Sequence, residues 1–148
     1  MSHSLLDEID RHILTVLTAD ARISLKVLSG KIGLSSPSTA ERVKRLEERG
    51  VINGYTMNTN LQALGYTMQA LVRMKPLPGM LQKVEKMIQA IPECIECDNI
   101  TGEDCFIIRL ALRSVGQLDD ILNGLTEFAQ CNTSIVKSTP VKRRLPPL

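Results

Sequence analysis

Between Gly33 and Gly50 the chain reads GLSSPSTAERVKRLEERG, a stretch rich in hydroxyls and guanidinium forks. A guanidinium offers paired N–H donors that match a guanine edge or the oxygens of a phosphate. Hydroxyls beside the free N–H groups of a helix N-terminus suit phosphates. Arg42 and Arg45 are the forks, and Ser36, Ser38 and Thr39 are the hydroxyls. Glu41 can accept from a cytosine amino group or, four residues before Arg45, hold that arginine instead. Lys44 and Arg49 would flank such a groove. A merely solvated helix face is the competing reading of the same residues.

Other reactive groups are sparser. The four cysteines are Cys94, Cys97, Cys105 and Cys131, and Cys94 and Cys97 form a C-x-x-C. Structural zinc takes four converging Cys or His ligands, and the two histidines, His3 and His12, lie far upstream. Residues three apart on a strand also point to opposite faces. Buried reduced thiols, with no metal and no cofactor, are therefore expected. The second half lacks histidine, and no nucleophile–base pair is suggested by spacing, so no catalytic residues are assigned.

The elements around the polar stretch give it a position. Gly33 suits a left-handed helix end, Ser36 an N-cap, Pro37 a first turn and Gly50 a stop. Ala40, Val43 and Leu46 form a narrow apolar stripe, and Ser38, Glu41, Arg42 and Arg45 fall opposite it. Upstream, 4–19 reads as a helix capped by Ser4, with Asp7 and Glu8 at its positive end, and Ser24 caps a second helix. Three short helices, the last two tightly joined, are the helix-turn-helix pattern. Asn53-Gly54 follows, the strongest short hairpin signal, and in this place it predicts a wing.

After a weakly patterned linker at 58–65 the periodicity changes. A strand is predicted at 66–75, a helix from Leu81 to Ile91, strands at 94–101 and 105–112, a helix from Leu118 to Phe128 and a strand at 133–141. That order is a ferredoxin-like βαββαβ. The predicted class is therefore α+β, with an N-terminal winged helix-turn-helix at 1–57, a dimerisation and effector domain at 66–141, and a flexible basic tail at 142–148. The 105–112 strand has apolar residues on both faces, which predicts that a second subunit covers the open side of the sheet.

Composition narrows the function classes. With 3% aromatic residues and no Trp, base stacking on aromatic platforms is excluded as the main mode of binding. Net charge is only +2, but its distribution is informative. Without Lys142, Arg143 and Arg144 the second half is net acidic, which leaves nucleic-acid contact to the first half. No apolar run is long enough to span a bilayer and no signal-peptide pattern is present, so a cytoplasmic protein is expected.

These residues resemble the Lrp/AsnC family, the feast/famine transcription regulators. The matches are LDEIDRHIL at 6–14, ARIS at 21–24, GLSSPSTAERVKRLEERGVINGY at 33–55 and ITGED at 100–104. The resemblance implies a homodimer that assembles into tetramers or octamers, binds double-stranded DNA and responds to an amino acid held near the glycine turn. Carried onto this chain, that turn is Thr101, Gly102, Glu103 and Asp104. Amino-acid-sensing members often read Gly-Asp-x-Asp there, whereas this chain has Cys105 in place of the second acid. The implied function is sequence-specific regulation of amino-acid-related metabolism. The alternative is an effector-independent architectural protein that wraps DNA.

Overall fold

A computed structural model describes residues 6–148. The chain divides into two compact units: one runs up to Asn58 and takes in Val141–Leu148, and the other is Thr59–Pro140.

The first unit holds α1 (Glu8–Ala19), α2 (Leu25–Ile32) and α3 (Ser36–Glu48). The expected cap Ser4 lies outside the described residues. Helix α1 begins at Asp7, whose side chain accepts from the Asp10 N–H while Asp10 reaches back to the Asp7 N–H. This reciprocal capping box satisfies two otherwise orphaned donors. Ser24 caps α2 as expected, and Gly33 ends it at φ 77. Helix α3 is capped by Ser35, one residue before the expected Ser36, with Pro37 in its first turn. Its C-terminus is a Schellman motif. Gly50, at φ 68, donates to Glu47 O, and Val51 donates to Leu46 O at 2.9 Å. Ile13, Leu14 and Leu46 form the buried core, with Ile9, Leu17, Ile32, Val43, Val51 and Ile52 against it.

That motif redirects the segment expected to be a hairpin. Val51 and Ile52 are drawn into the core, and both N–H groups go to Leu46 O. Asn53 does not take the positive φ that a type I′ turn requires. Residues 51–58 therefore form no strand pairing within the described chain. Tyr55 instead ties the segment to α3, its hydroxyl donating to Glu47 Oε1 at 2.9 Å.

In the second unit β1 (Met68–Pro76), α4 (Leu81–Gln89), β2 (Cys94–Asn99), β3 (Phe106–Leu112), α5 (Val115–Leu125) and β4 (Ala129–Ile135) follow in order. All pairings are antiparallel and the sheet order is β2-β3-β1-β4. Both helices cover one face: Val84, Ile88, Leu118 and Leu125 pack on Ala70, Val72, Met74, Phe106, Ile108, Leu110 and Leu112. This is the ferredoxin-like arrangement predicted.

Two elements are shifted from their expected positions, and a third is irregular. Ser114 caps α5, accepting from Gln117 N–H, so the helix starts and ends earlier than 118–128. Strand β4 starts four residues before 133, because Pro76 pairs with Ala129 and Leu77 donates to Phe128 O at 2.9 Å. Cross-strand pairing outweighs the low strand preference of Ala-Gln-Cys-Asn. A bulge in β2 between Cys94 and Glu96 shifts its register on β3. The open face of the sheet is also less apolar than expected. Arg109 stands there between Leu71 and Glu96, with Nη1 donating to Gln69 Oε1 at 3.3 Å.

Candidate nucleic-acid interface and effector turn

Helix α3 presents only part of the predicted set outward. Ser35 Oγ accepts from Ser38 N–H and lies 2.9 Å from Ser38 Oγ, so the helix N-terminus carries two exposed hydroxyls. Ser36 is half-buried at the turn, its Oγ 3.3 Å from Ser29 Oγ of α2. Thr39 is a correction. It is fully buried and its Oγ1 donates to Ser35 O at 2.9 Å, so it cannot reach a groove. The apolar stripe of α3 passes through Thr39 as well as Val43 and Leu46.

Arg42 has partners within its own unit that its place on the helix did not reveal. Its Nη1 donates to Asp7 Oδ2 at 2.6 Å and to Asp10 Oδ1 at 3.0 Å. The side chain is 30% exposed and that of Asp10 only 11%. The paired carboxylates hold the guanidinium above its usual range, Asp7 most strongly. The Asp7 carboxyl is held below its usual range, first by the Asp10 backbone N–H and then by Arg42. Arg42 thus joins the first turn of α1 to the middle of α3. Sequence reading missed its partners, although the Asp-x-x-Asp spacing of LDEID is a capping-box signal.

The remaining cations face outward. Arg45 Nε is 3.2 Å from Glu41 Oε1, and Lys44 is 3.6 Å from Glu48. All four side chains are more than half exposed, and such i,i+4 pairs contribute only about 0.3–0.5 kcal/mol. Both pairs are open to exchange with solvent. Ser38, Glu41, Lys44 and Arg45 therefore form one exposed polar face of α3.

In the second unit, residues 100–105 connect β2 to β3. Ile100 N–H donates to Cys105 O at 2.8 Å, and Cys105 N–H donates to Met74 O at 2.9 Å. Gly102 takes φ 120, a conformation that disfavours any side chain. Thr101, Gly102 and Glu103 are exposed, Asp104 is half-buried, and neither acid has an ion-pair partner among the described residues. The turn brings the four predicted residues together. Among the described residues no cluster of three or more His, Cys, Asp or Glu is placed to hold a metal ion. No described helix is long and apolar enough to cross a membrane.

Comparison with known proteins fits this geometry to a family. Residues 6–53 match the winged helix-turn-helix DNA-binding family, and residues 69–146 match the Lrp/AsnC ligand binding domain. The chain belongs to the Lrp/AsnC family. The transcriptional regulator LrpC of Bacillus subtilis is 32% identical over 133 residues, covering 90% of this chain and 92% of the relative. Its solved structure superposes with a TM-score of 0.88 at 30% identity, covering 93% of this chain and 99% of that one. A feast or famine regulatory protein from M. tuberculosis, complexed with L-methionine, superposes with a TM-score of 0.87 at 30% identity, covering 95% and 98%. This Lrp/AsnC chain is accordingly a DNA-binding transcriptional regulator with a ligand-binding domain, not an enzyme.

Proposed function

We propose that the chain is a sequence-specific regulator of amino-acid-related metabolism whose base-reading residue is Arg45. The observation that carries this is the exposed face of α3, where Arg45 and Lys44 are held only by weak, displaceable carboxylates. Ser36 and Ser38 serve phosphates at the helix N-terminus. Glu41 either releases Arg45 on binding or accepts from a cytosine amino group. The working form is a cytoplasmic homodimer that assembles to a tetramer or octamer. Two-fold symmetry then sets a pseudo-palindromic site with half-sites about one helical turn apart or a multiple of it. The functional boundaries follow the sequence reading: DNA binding at 1–57, linker 58–65, effector domain 66–141 and tail 142–148.

Titration of selected duplexes with Arg45→Ala tests this reading. A loss of about 1–3 kcal/mol, with relaxed preference at one base position, is expected. Unchanged affinity and preference would remove the assignment.

The effector is a small amino acid held at Thr101, Gly102, Glu103 and Asp104. Two unpaired acids beside a glycine turn suit an ammonium group, and the L-methionine complex of the M. tuberculosis relative supports the ligand class. One observation favours a second reading, effector-independent DNA wrapping. Cys105 occupies the position of the family's second acid, and both of its backbone polar groups are spent on the sheet.

A further inference from the structure

DNA binding and effector capture leave one sequence motif unused, the C-x-x-C of Cys94 and Cys97. On a regular strand these residues would face opposite sides, about 10 Å apart at about 3.3 Å per residue. The bulge in β2 reverses that expectation. Cys94 pairs with Leu110 and Cys97 with Ile108, two residues of the same helix-covered face. Ile95 is the extra residue absorbed by the bulge, and it is half-exposed.

Both thiols therefore stand on the α4 side and span two strand positions rather than three, about 6.6 Å. That lies at the upper end of the Cα separations a disulfide bridges, about 4.4–6.8 Å, and the Cβ atoms must also come within about 3.5–4.5 Å, so closure requires β2 to tighten at its bulge. Together with Glu85, Ile88, Gln89 and Phe106 they line a groove of 410 Å³. Strand β2 is the edge of the sheet, so pinching it breaks no hydrogen-bond ladder on its outer side. Cys97 is exposed to a reagent, and Cys94, farther along the same face of β2, is half-buried. Cys131 lies on β4, at the opposite edge with two strands between, about 14 Å away at about 4.8 Å per strand.

We infer that Cys94 and Cys97 form a dithiol site that closes to an intramolecular disulfide by exchange with a low-molecular-weight disulfide. The Cys97 thiolate attacks one sulfur of the reagent. The reagent's S–S bond breaks, one thiolate leaves, and a mixed disulfide remains on Cys97. Cys94 then loses its proton to solvent and attacks the Cys97 sulfur, releasing the second thiolate. Two protein thiols lose two electrons and two protons, and the reagent gains them as two thiols. Burial holds both protein thiols above their usual range, and Cys94, Asp98 and Glu85 raise Cys97 further. The exchange is accordingly slow near neutrality and quickens as pH rises.

The test incubates the full-length chain with oxidised glutathione and follows intact mass and alkylated peptide maps. The expected product has lost two thiols, retains no glutathione and links Cys94 to Cys97. In Cys94→Ser the glutathione should stay on Cys97, with no thiol to expel it. Retained glutathione on the wild-type chain would overturn the proposal, as would a link to Cys105 or Cys131. So would a folded chain that stays reduced while the urea-unfolded chain oxidises.

Discussion

Arg42 and Arg45 are three residues apart on α3, yet their surroundings give them different tasks. Arg45 meets one exposed carboxylate that water or a ligand can replace. Arg42 bridges Asp7 and the largely buried Asp10, and Arg42→Ala would leave both without their cation. Hydrogen bonds to charged groups typically contribute about 1.5–3 kcal/mol, less where they are exposed as at Asp7. Arg42→Ala should therefore destabilise the first unit by about 1–2 kcal/mol and weaken binding to all duplexes alike, measured by urea melts and a panel of sites. Selective loss at one base position would instead restore Arg42 as a reader. The lowered Asp7 pKa gives a signed expectation as well. Its stabilisation is fully present above the unfolded carboxylate range and is lost as pH falls through the lower folded value. Asp7→Asn keeps a good N-cap without the titration, so its stability should fall less than wild type across the acid limb.

At the scale of elements, helix ends set where the chain turns. The positive φ of Gly50 and the Val51-to-Leu46 bond stop α3 and turn the following residues inward. A Cβ at Gly50 would meet only Asn53 Oδ1 at 3.8 Å, an ordinary contact. Gly50→Ala should thus cost about 1 kcal/mol from backbone conformation alone, seen as a lower urea midpoint at unchanged slope. These ends were legible: Gly33, Ser24, Pro37 and Gly50 all act as their types suggest. The hairpin at Asn53-Gly54 was misread because the local turn signal competes with burial of Val51 and Ile52, and burial prevails. Strand β4 was displaced for a related reason. Its residues are set by pairing with β1, which no local propensity encodes.

At the scale of the whole molecule, the tail is exposed along its length. Leu145–Leu148 and Arg144 line an open depression with Arg11 and Thr15 of α1, while Lys142 and Arg143 remain exposed. Assembly and effector response are measured together by sedimentation at physiological salt, with and without the twenty amino acids. A mass shift caused by one amino acid is expected if the 101–104 turn senses ligand. A large assembly indifferent to all of them would favour the architectural reading, and a monomer at micromolar concentration would overturn obligate dimerisation.

The sequence by itself determined the class of each unit, because apolar periodicity and helix caps are local properties that fold as written. It also placed the polar face of α3 and brought Thr101 to Asp104 onto one turn. Only the tertiary structure decided which groups on that face are free. Thr39 and Arg42 look like ligand-facing residues until α1 and the N-terminus of α3 supply their partners. Likewise, only the pairing of β2 with β3 put Cys94 and Cys97 on one side. A hydrogen bond across 32 residues and a one-residue bulge are settled by packing partners distant in the chain, and local patterning carries no record of them.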